Sequence, residues 1–221
     1  MTKQTPGSHD PPHSPAGLQP RDRAAGAAPG AAPDAAPDDA PDAAPIFLVG
    51  FMGTGKSTVG RLLAIELGFS FVDLDDVIVR EAGRSVAQIF AAEGETGFRA
   101  REEVAVRATA AMRRTVIATG GGAACREINL VAMLGAGRVV ALAATPAEVI
   151  RRTGAGPGRP LLHGKADPEG VAAALLAERD PFYARAHHQV DTVGKPPLDV
   201  AREIMNRLYG TTGFAKGRST P

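Results

Sequence analysis

The residues Gly50 to Ser57, GFMGTGKS, carry the pattern G-x-x-x-x-G-K-[ST]. Glycines let a backbone fold tightly round phosphate oxygens and turn its N–H groups toward them, and a helix starting there adds the positive end of its dipole. In that setting Lys56 would bridge β- and γ-phosphates and Ser57 would hold Mg²⁺. Downstream stand Asp73 and Asp75, one residue apart. Alternation along a strand would send both side chains the same way, one carboxylate to the metal's water and the other to the proton of an attacking hydroxyl. Two acids at a strand end can equally cap a helix, and Asp76 is the better placed for that role.

Anion-holding candidates follow. Arg99 has Glu102 three residues on, which shares its helical face and would preorganise the guanidinium for a carboxylate. Gly120, Gly121 and Gly122 would leave unobstructed backbone at the carboxyl edge of a sheet, although a tight turn explains a triplet nearly as well. Arg159 lies in a Gly- and Pro-rich stretch, and Arg179 opens the run RDPFY, read as the start of a helix. Alone, each arginine is an ordinary surface charge. Beside a phosphate loop they form a set.

These residues need a scaffold that brings them to one edge. From Ile46 the chain alternates short β-rich runs with helix-patterned stretches, as parallel βαβ architecture requires. Strands are expected at 46–49, 69–75, 115–119, 138–144 and 188–192, with a helix over 56–67. The segment 76–113 reads as helical, with Ser85 an N-cap for SVAQIF. The fold class is therefore α/β, a three-layer α/β/α arrangement on a five-stranded parallel sheet. Residues 153–170 hold too much Gly and Pro for a regular element and read as a mobile lid.

Composition narrows the partners. The 221 residues have a net charge of +1, but residues 1–45 place Lys3, Arg21 and Arg23 against six aspartates, leaving the tail at −3 and the remainder at +4. That excess can steer anions, yet it is no basic stripe of the kind nucleic acid needs, so no nucleic-acid partner is expected. Residues 1–45 also hold ten of the eighteen prolines and read as a disordered extension; 46–210 form the folded domain and 211–221 a flexible tail. Cys125 is the single cysteine, read as a packing residue, and excludes an internal disulfide. With no leader pattern and no long apolar run, a cytoplasmic protein that does not engage membranes is expected.

The order GxxxxGKST, DxD, FRxxE, GGG, RPLL and RxPxY resembles the shikimate kinase family, of the nucleoside monophosphate kinase-like branch of P-loop NTPases, over about Ile46 to Leu208. The resemblance implies ATP-dependent phosphorylation of the shikimate 3-hydroxyl, with ATP and Mg²⁺ bound; a monomer is expected. It implies ATP contacts from Gly53, Thr54, Gly55, Lys56, Ser57 and Thr58, and a metal site at Ser57 and Asp73. Asp75 becomes the proton acceptor, and Arg99 and Arg179 the holders of the substrate carboxylate. The substrate would also meet Gly120, Gly121 and Gly122, and Arg159 of the lid would reach ATP. Position suggests Arg152 and the 194–197 stretch, including Lys195 and Pro197, as the adenine's neighbours. Phe182 replaces the usual Leu of the last motif. Met52 sits at a variable loop position where it can line the acceptor pocket.

Gluconate and nucleotide kinases share the phosphate loop but lack the paired DxD and GGG signals with FRxxE. A ligand sensor built on the same domain would carry an N-terminal DNA-binding helical module, and residues 1–45 have no amphipathic pattern to supply one.

Overall fold

The computed structural model describes residues 43–154, 162 and 164–210. Five strands, β1 (Ile46–Val49), β2 (Ser70–Asp73), β3 (Thr115–Ala118), β4 (Arg138–Ala143) and β5 (His188–Asp191), form one parallel sheet in the order β2-β3-β1-β4-β5. β1 pairs on one side with β3, Phe47 opposite Ile117, and on the other with β4, Leu48 opposite Val140. Its four residues are fully buried because helices cover both faces, which is why they read as an unbroken apolar run. The reversal of chain order on either side of β1 opens a crevice at its carboxyl end, where ligands of such sheets bind.

Helices α1 (Lys56–Leu67) and α7 (Pro197–Tyr209) pack together on one face, closing a core around Leu48, Leu63, Val140 and Ile204. The other face carries α2 (Leu74–Ala82), α3 (Val86–Ala110), α4 (Glu127–Ala136), α5 (Pro146–Thr153) and α6 (Pro168–Tyr183). Their core gathers round Phe47, Phe51, Ile89 and Leu130. Caps set the ends. Ser85 and Gln88 form a capping box at the start of α3, and Thr145, followed by Pro146, caps α5.

The structure corrects the expected elements at several points. β2 stops at Asp73, so Leu74 and Asp75 already belong to α2. The cap of α2 is Asp73, whose carboxylate accepts from the Asp75 N–H, and not Asp76, which is exposed. The segment 76–113 is interrupted by Gly83–Ser85, and α3 kinks at Gly94, where φ is +69°. Across that kink Glu93 holds both Arg84 and Arg101. The run RDPFY closes α6 instead of opening a helix; Pro181 lies inside α6 two residues before its end, so the helix goes without one N–H donor in its last turn. Helical structure also begins at Pro168, inside the stretch expected to be irregular. Residues 1–42, 155–161, 163 and 211–221 lie outside the described residues, and with them Arg159 and most of the expected lid and tails.

Candidate active site

The phosphate loop leaves β1 through Gly50 at φ +132°, and a Cβ there would stand 2.3 Å from the Leu142 carbonyl oxygen on β4. No side chain fits between the two backbones. Gly50→Ala should therefore cost at least about 2 kcal/mol of stability from strain and displace the loop. A lowered denaturation midpoint together with lost ATP binding is the expected result. Gly53 and Gly55 take positive φ as well, turning the chain into α1. Buried Thr54 donates its hydroxyl to the Phe51 carbonyl at 2.8 Å and so staples the loop to itself. Lys56 Nζ donates to the carbonyls of Gly50 and Phe51 at 2.9 and 2.8 Å, which places its ammonium across the mouth of the cradle.

Ser57 Oγ donates to Asp73 Oδ2 at 2.7 Å, while Asp73 Oδ1 accepts the Asp75 N–H at 3.1 Å. One carboxylate thus joins the first turn of α1 to the cap of α2. Asp75 then points from the first turn of α2 toward the glycine triplet: a Cβ on Gly120 would lie 3.3 Å from its Oδ1 and 2.9 Å from Glu102 Oε1. Both of those carboxylate oxygens are buried without a hydrogen-bond partner. Burial, and then the neighbouring Asp73, push the Asp75 pKa up, with Lys56 opposing. Burial likewise raises Glu102, against the pull of Arg99. A half-buried acid with a raised pKa at the edge of a phosphate loop, as Asp75 is, suits proton acceptance.

Arg99 donates to Glu102 Oε2 at 2.8 Å and also reaches Glu95. Gly122 is what admits it, since a Cβ there would stand 2.6 Å from an Arg99 terminal nitrogen. Arg99 and Arg179 line one cavity of about 500 Å³, whose wall also holds Glu95, Thr96, Cys125, Arg126, Glu178 and Phe182. Arg179 donates to the Gly121 carbonyl at 3.3 Å and lies over the Phe51 ring. Burial raises the Cys125 thiol pKa, so the cysteine contributes a neutral wall and not a nucleophile. A second cavity, about 380 Å³, spans Met52, Lys56, Ser57, Asp73, Asp75 and Gly121. Met52 thus borders the phosphate cavity rather than the arginine one.

A third cavity, about 480 Å³, meets the phosphate cavity at Gly55, Thr58 and Arg152 and continues to Gly194, Lys195 and Pro197. Arg152 is fixed on every side. It donates to Glu148, to the Gly53 carbonyl at 3.2 Å, and to the hydroxyl and carbonyl of Thr192 at 2.9 and 2.7 Å. Thr192 in turn donates to the Ala143 carbonyl at 2.9 Å. Arg152 and Pro197 both line this cavity, and no aromatic side chain is among its lining residues.

A chain with a phosphate cradle, a buried acid and two facing arginines in this order has known counterparts. The shikimate kinase family model matches residues 52–209. The chain belongs to the shikimate kinase family. It is 47% identical over 173 residues to the shikimate kinase of Geobacter metallireducens, covering 78% of this chain and 92% of that one. With the shikimate kinase of Symbiobacterium thermophilum the identity is 50% over 167 residues, 74% and 95% of the two chains. Among solved structures, the shikimate kinase of Acinetobacter baumannii in complex with shikimate superposes with a TM-score of 0.72 at 38% identity, covering 76% of this chain and 94% of that one. The Aquifex aeolicus shikimate kinase gives 0.65 at 32% identity, covering 75% and 96%. As a family member the chain is an ATP-using phosphotransferase.

Among the described residues, the structure brings Gly53 to Thr58, Asp73, Asp75, Gly120, Gly121, Arg152, Lys195 and Pro197 to the two adjoining nucleotide-side cavities, and Arg99, Gly122 and Arg179 to the acceptor side. Sequence reasoning missed Glu148, Thr192 and Tyr183, which hold other site groups and carry no motif of their own save the last. The signal for Tyr183 was present: it stands four residues after Arg179, on the same face of α6.

Proposed function

We propose that this chain transfers the γ-phosphoryl group of ATP to the 3-hydroxyl of shikimate, giving shikimate 3-phosphate and ADP, a step toward chorismate and the aromatic amino acids. The observation that carries the reading is the position of Asp75, a half-buried carboxylate that lines the phosphate cavity and turns its buried Oδ1 to the glycine triplet, whose other members meet Arg179 and Arg99. Shikimate has one carboxylate and, across its ring, hydroxyls; two arginines on one side and a proton acceptor on the other suit that layout.

ATP lies with its phosphates in the cradle of Gly53 to Thr58, and its adenine against Arg152 with Lys195 and Pro197 at the rim. Arg99 and Arg179 hold the acceptor's carboxylate, the triplet Gly120 to Gly122 presents backbone to its ring, and Asp75 takes the hydroxyl proton as the new O–P bond forms. Lys56 and the loop N–H groups stabilise the charge on the equatorial phosphoryl oxygens as ADP departs. Ser57 Oγ and Asp73 Oδ2, 2.7 Å apart, are the hard oxygen donors suited to Mg²⁺, a cation that keeps most of its waters and takes one or two protein ligands beside phosphate. When bound it would neutralise phosphate charge. Arg159 is assigned to the lid that closes over ATP and excludes water. The single cysteine fits a reducing compartment, and we place the enzyme in the cytoplasm as a monomer.

Phosphorus and proton NMR of the product formed from Mg-ATP and shikimate tests the assignment. A single phosphate coupled to the ring proton at carbon 3 is expected; phosphate on another oxygen would contradict the placement of Asp75.

A further inference from the structure

Tyr183 is buried, 6% exposed, at the end of α6, and its hydroxyl donates to the Gly121 carbonyl at 2.6 Å. Arg179, one helical turn earlier, donates to the same oxygen at 3.3 Å. The carbonyl therefore serves two donors of unequal standing, a short phenol bond and a longer guanidinium bond. We infer that Tyr183 is a positioning residue for acceptor binding: by occupying the Gly121 carbonyl it fixes the glycine-triplet backbone and leaves the Arg179 guanidinium available to the acceptor's carboxylate.

Two steps of geometry carry this. In a trans peptide the N–H points opposite to the C=O, so holding the Gly121 oxygen toward α6 also sets the direction of the Gly122 N–H, in the residue that lines the acceptor cavity beside Arg99. With the phenol gone, the carbonyl would keep Arg179 as its donor and draw the guanidinium inward, because a partly buried carbonyl left unpaired is costly. Burial drives the phenol's pKa upward, so the hydroxyl remains a neutral donor throughout the working pH range. Gly121 also borders the phosphate cavity, but the far end of the nucleotide side is held separately, with Arg152 bound to Glu148 and Thr192.

The inference rests on the shikimate reading, and its test separates the two. Tyr183→Phe keeps the ring and removes one hydroxyl. Relative to wild-type enzyme that turns over shikimate, the variant should show a KM for shikimate raised on the order of tenfold, the loss of one hydrogen bond, with KM for ATP and the melting temperature close to wild type. An unchanged shikimate KM, or equal rises for both substrates, would overturn the positioning role. Inactive wild-type enzyme would instead overturn the shikimate reading itself. Should the variant fold poorly, amide exchange in wild type decides: the Gly121–Gly122 amides should slow on adding shikimate alone, and slowing by ATP alone or by neither would refute the inference.

Discussion

Asp75→Asn should lower kcat by about 10²- to 10⁴-fold, the usual contribution of a positioned proton acceptor, while leaving the protein as stable as wild type or more so at neutral pH. The two halves of this result have one cause. The Asp75 carboxyl is half-buried beside Asp73, and its buried Oδ1 has no hydrogen-bond partner among the described residues, so its pKa is raised in the fold above the unfolded value. The native state therefore holds this proton more tightly than the unfolded chain does. The stability that follows is fully present below the unfolded pKa and is lost as pH rises through the folded one. At neutral pH the ionised carboxylate is a cost to folding that the amide removes. The same ionisation is required for proton acceptance, so the acid limb of the kcat/KM profile should lie above an ordinary aspartate's. Calorimetry and pH-rate profiles of the pair of proteins read both effects; a variant that lost stability along with activity would make Asp75 a structural residue.

Arg99→Ala should be the more damaging change to the fold. Glu102 has no exposed surface, and Arg99 holds its Oε2 at 2.8 Å, while Oε1 already lacks a partner. Removing the guanidinium strands a buried carboxylate at a cost of about 3 kcal/mol, because breaking one side of a buried pair leaves the other uncompensated. Glu102 already titrates above its usual range through burial, and without Arg99 it would do so more. The deficit should consequently shrink as pH falls and Glu102 takes up a proton, and Arg99→Ala combined with Glu102→Gln should recover most of it. Acceptor binding should not recover in the double variant: the shikimate KM should remain raised on the order of a hundredfold, since the charged partner of its carboxylate is gone. Urea titrations at two pH values check the first part and steady-state kinetics the second; a deficit independent of pH would remove Glu102 from the explanation.

What could be read from the sequence was what local chemistry determines. The apolar run of β1, the glycine pattern after it and the Ser85 N-cap each follow from neighbours within a few residues, and each is found where expected. Asp73 and Asp75 were rightly paired but wrongly explained. Strand alternation seemed to aim both side chains, whereas the chain turns helical at Leu74 and the Asp73 cap itself aims Asp75. RDPFY misled for a related reason: a proline suits the first turn of a helix, whereas here Pro181 sits in the last turn, held there by the packing of α6 against the local preference. Least legible were contacts between distant positions, such as Tyr183 to Gly121, 62 residues apart, and Arg152 to Thr192, 40 apart. Each depends on which strands are neighbours in the sheet, and no local pattern encodes that.

The measurement that bears most directly on the central claim is ADP release by the purified protein with Mg-ATP, comparing shikimate, gluconate and AMP as acceptors, with Asp75→Asn alongside. The account predicts release with shikimate and with neither of the others, reduced by at least about a hundredfold in the variant. Turnover of gluconate or AMP, or shikimate turnover that Asp75→Asn leaves intact, would contradict it.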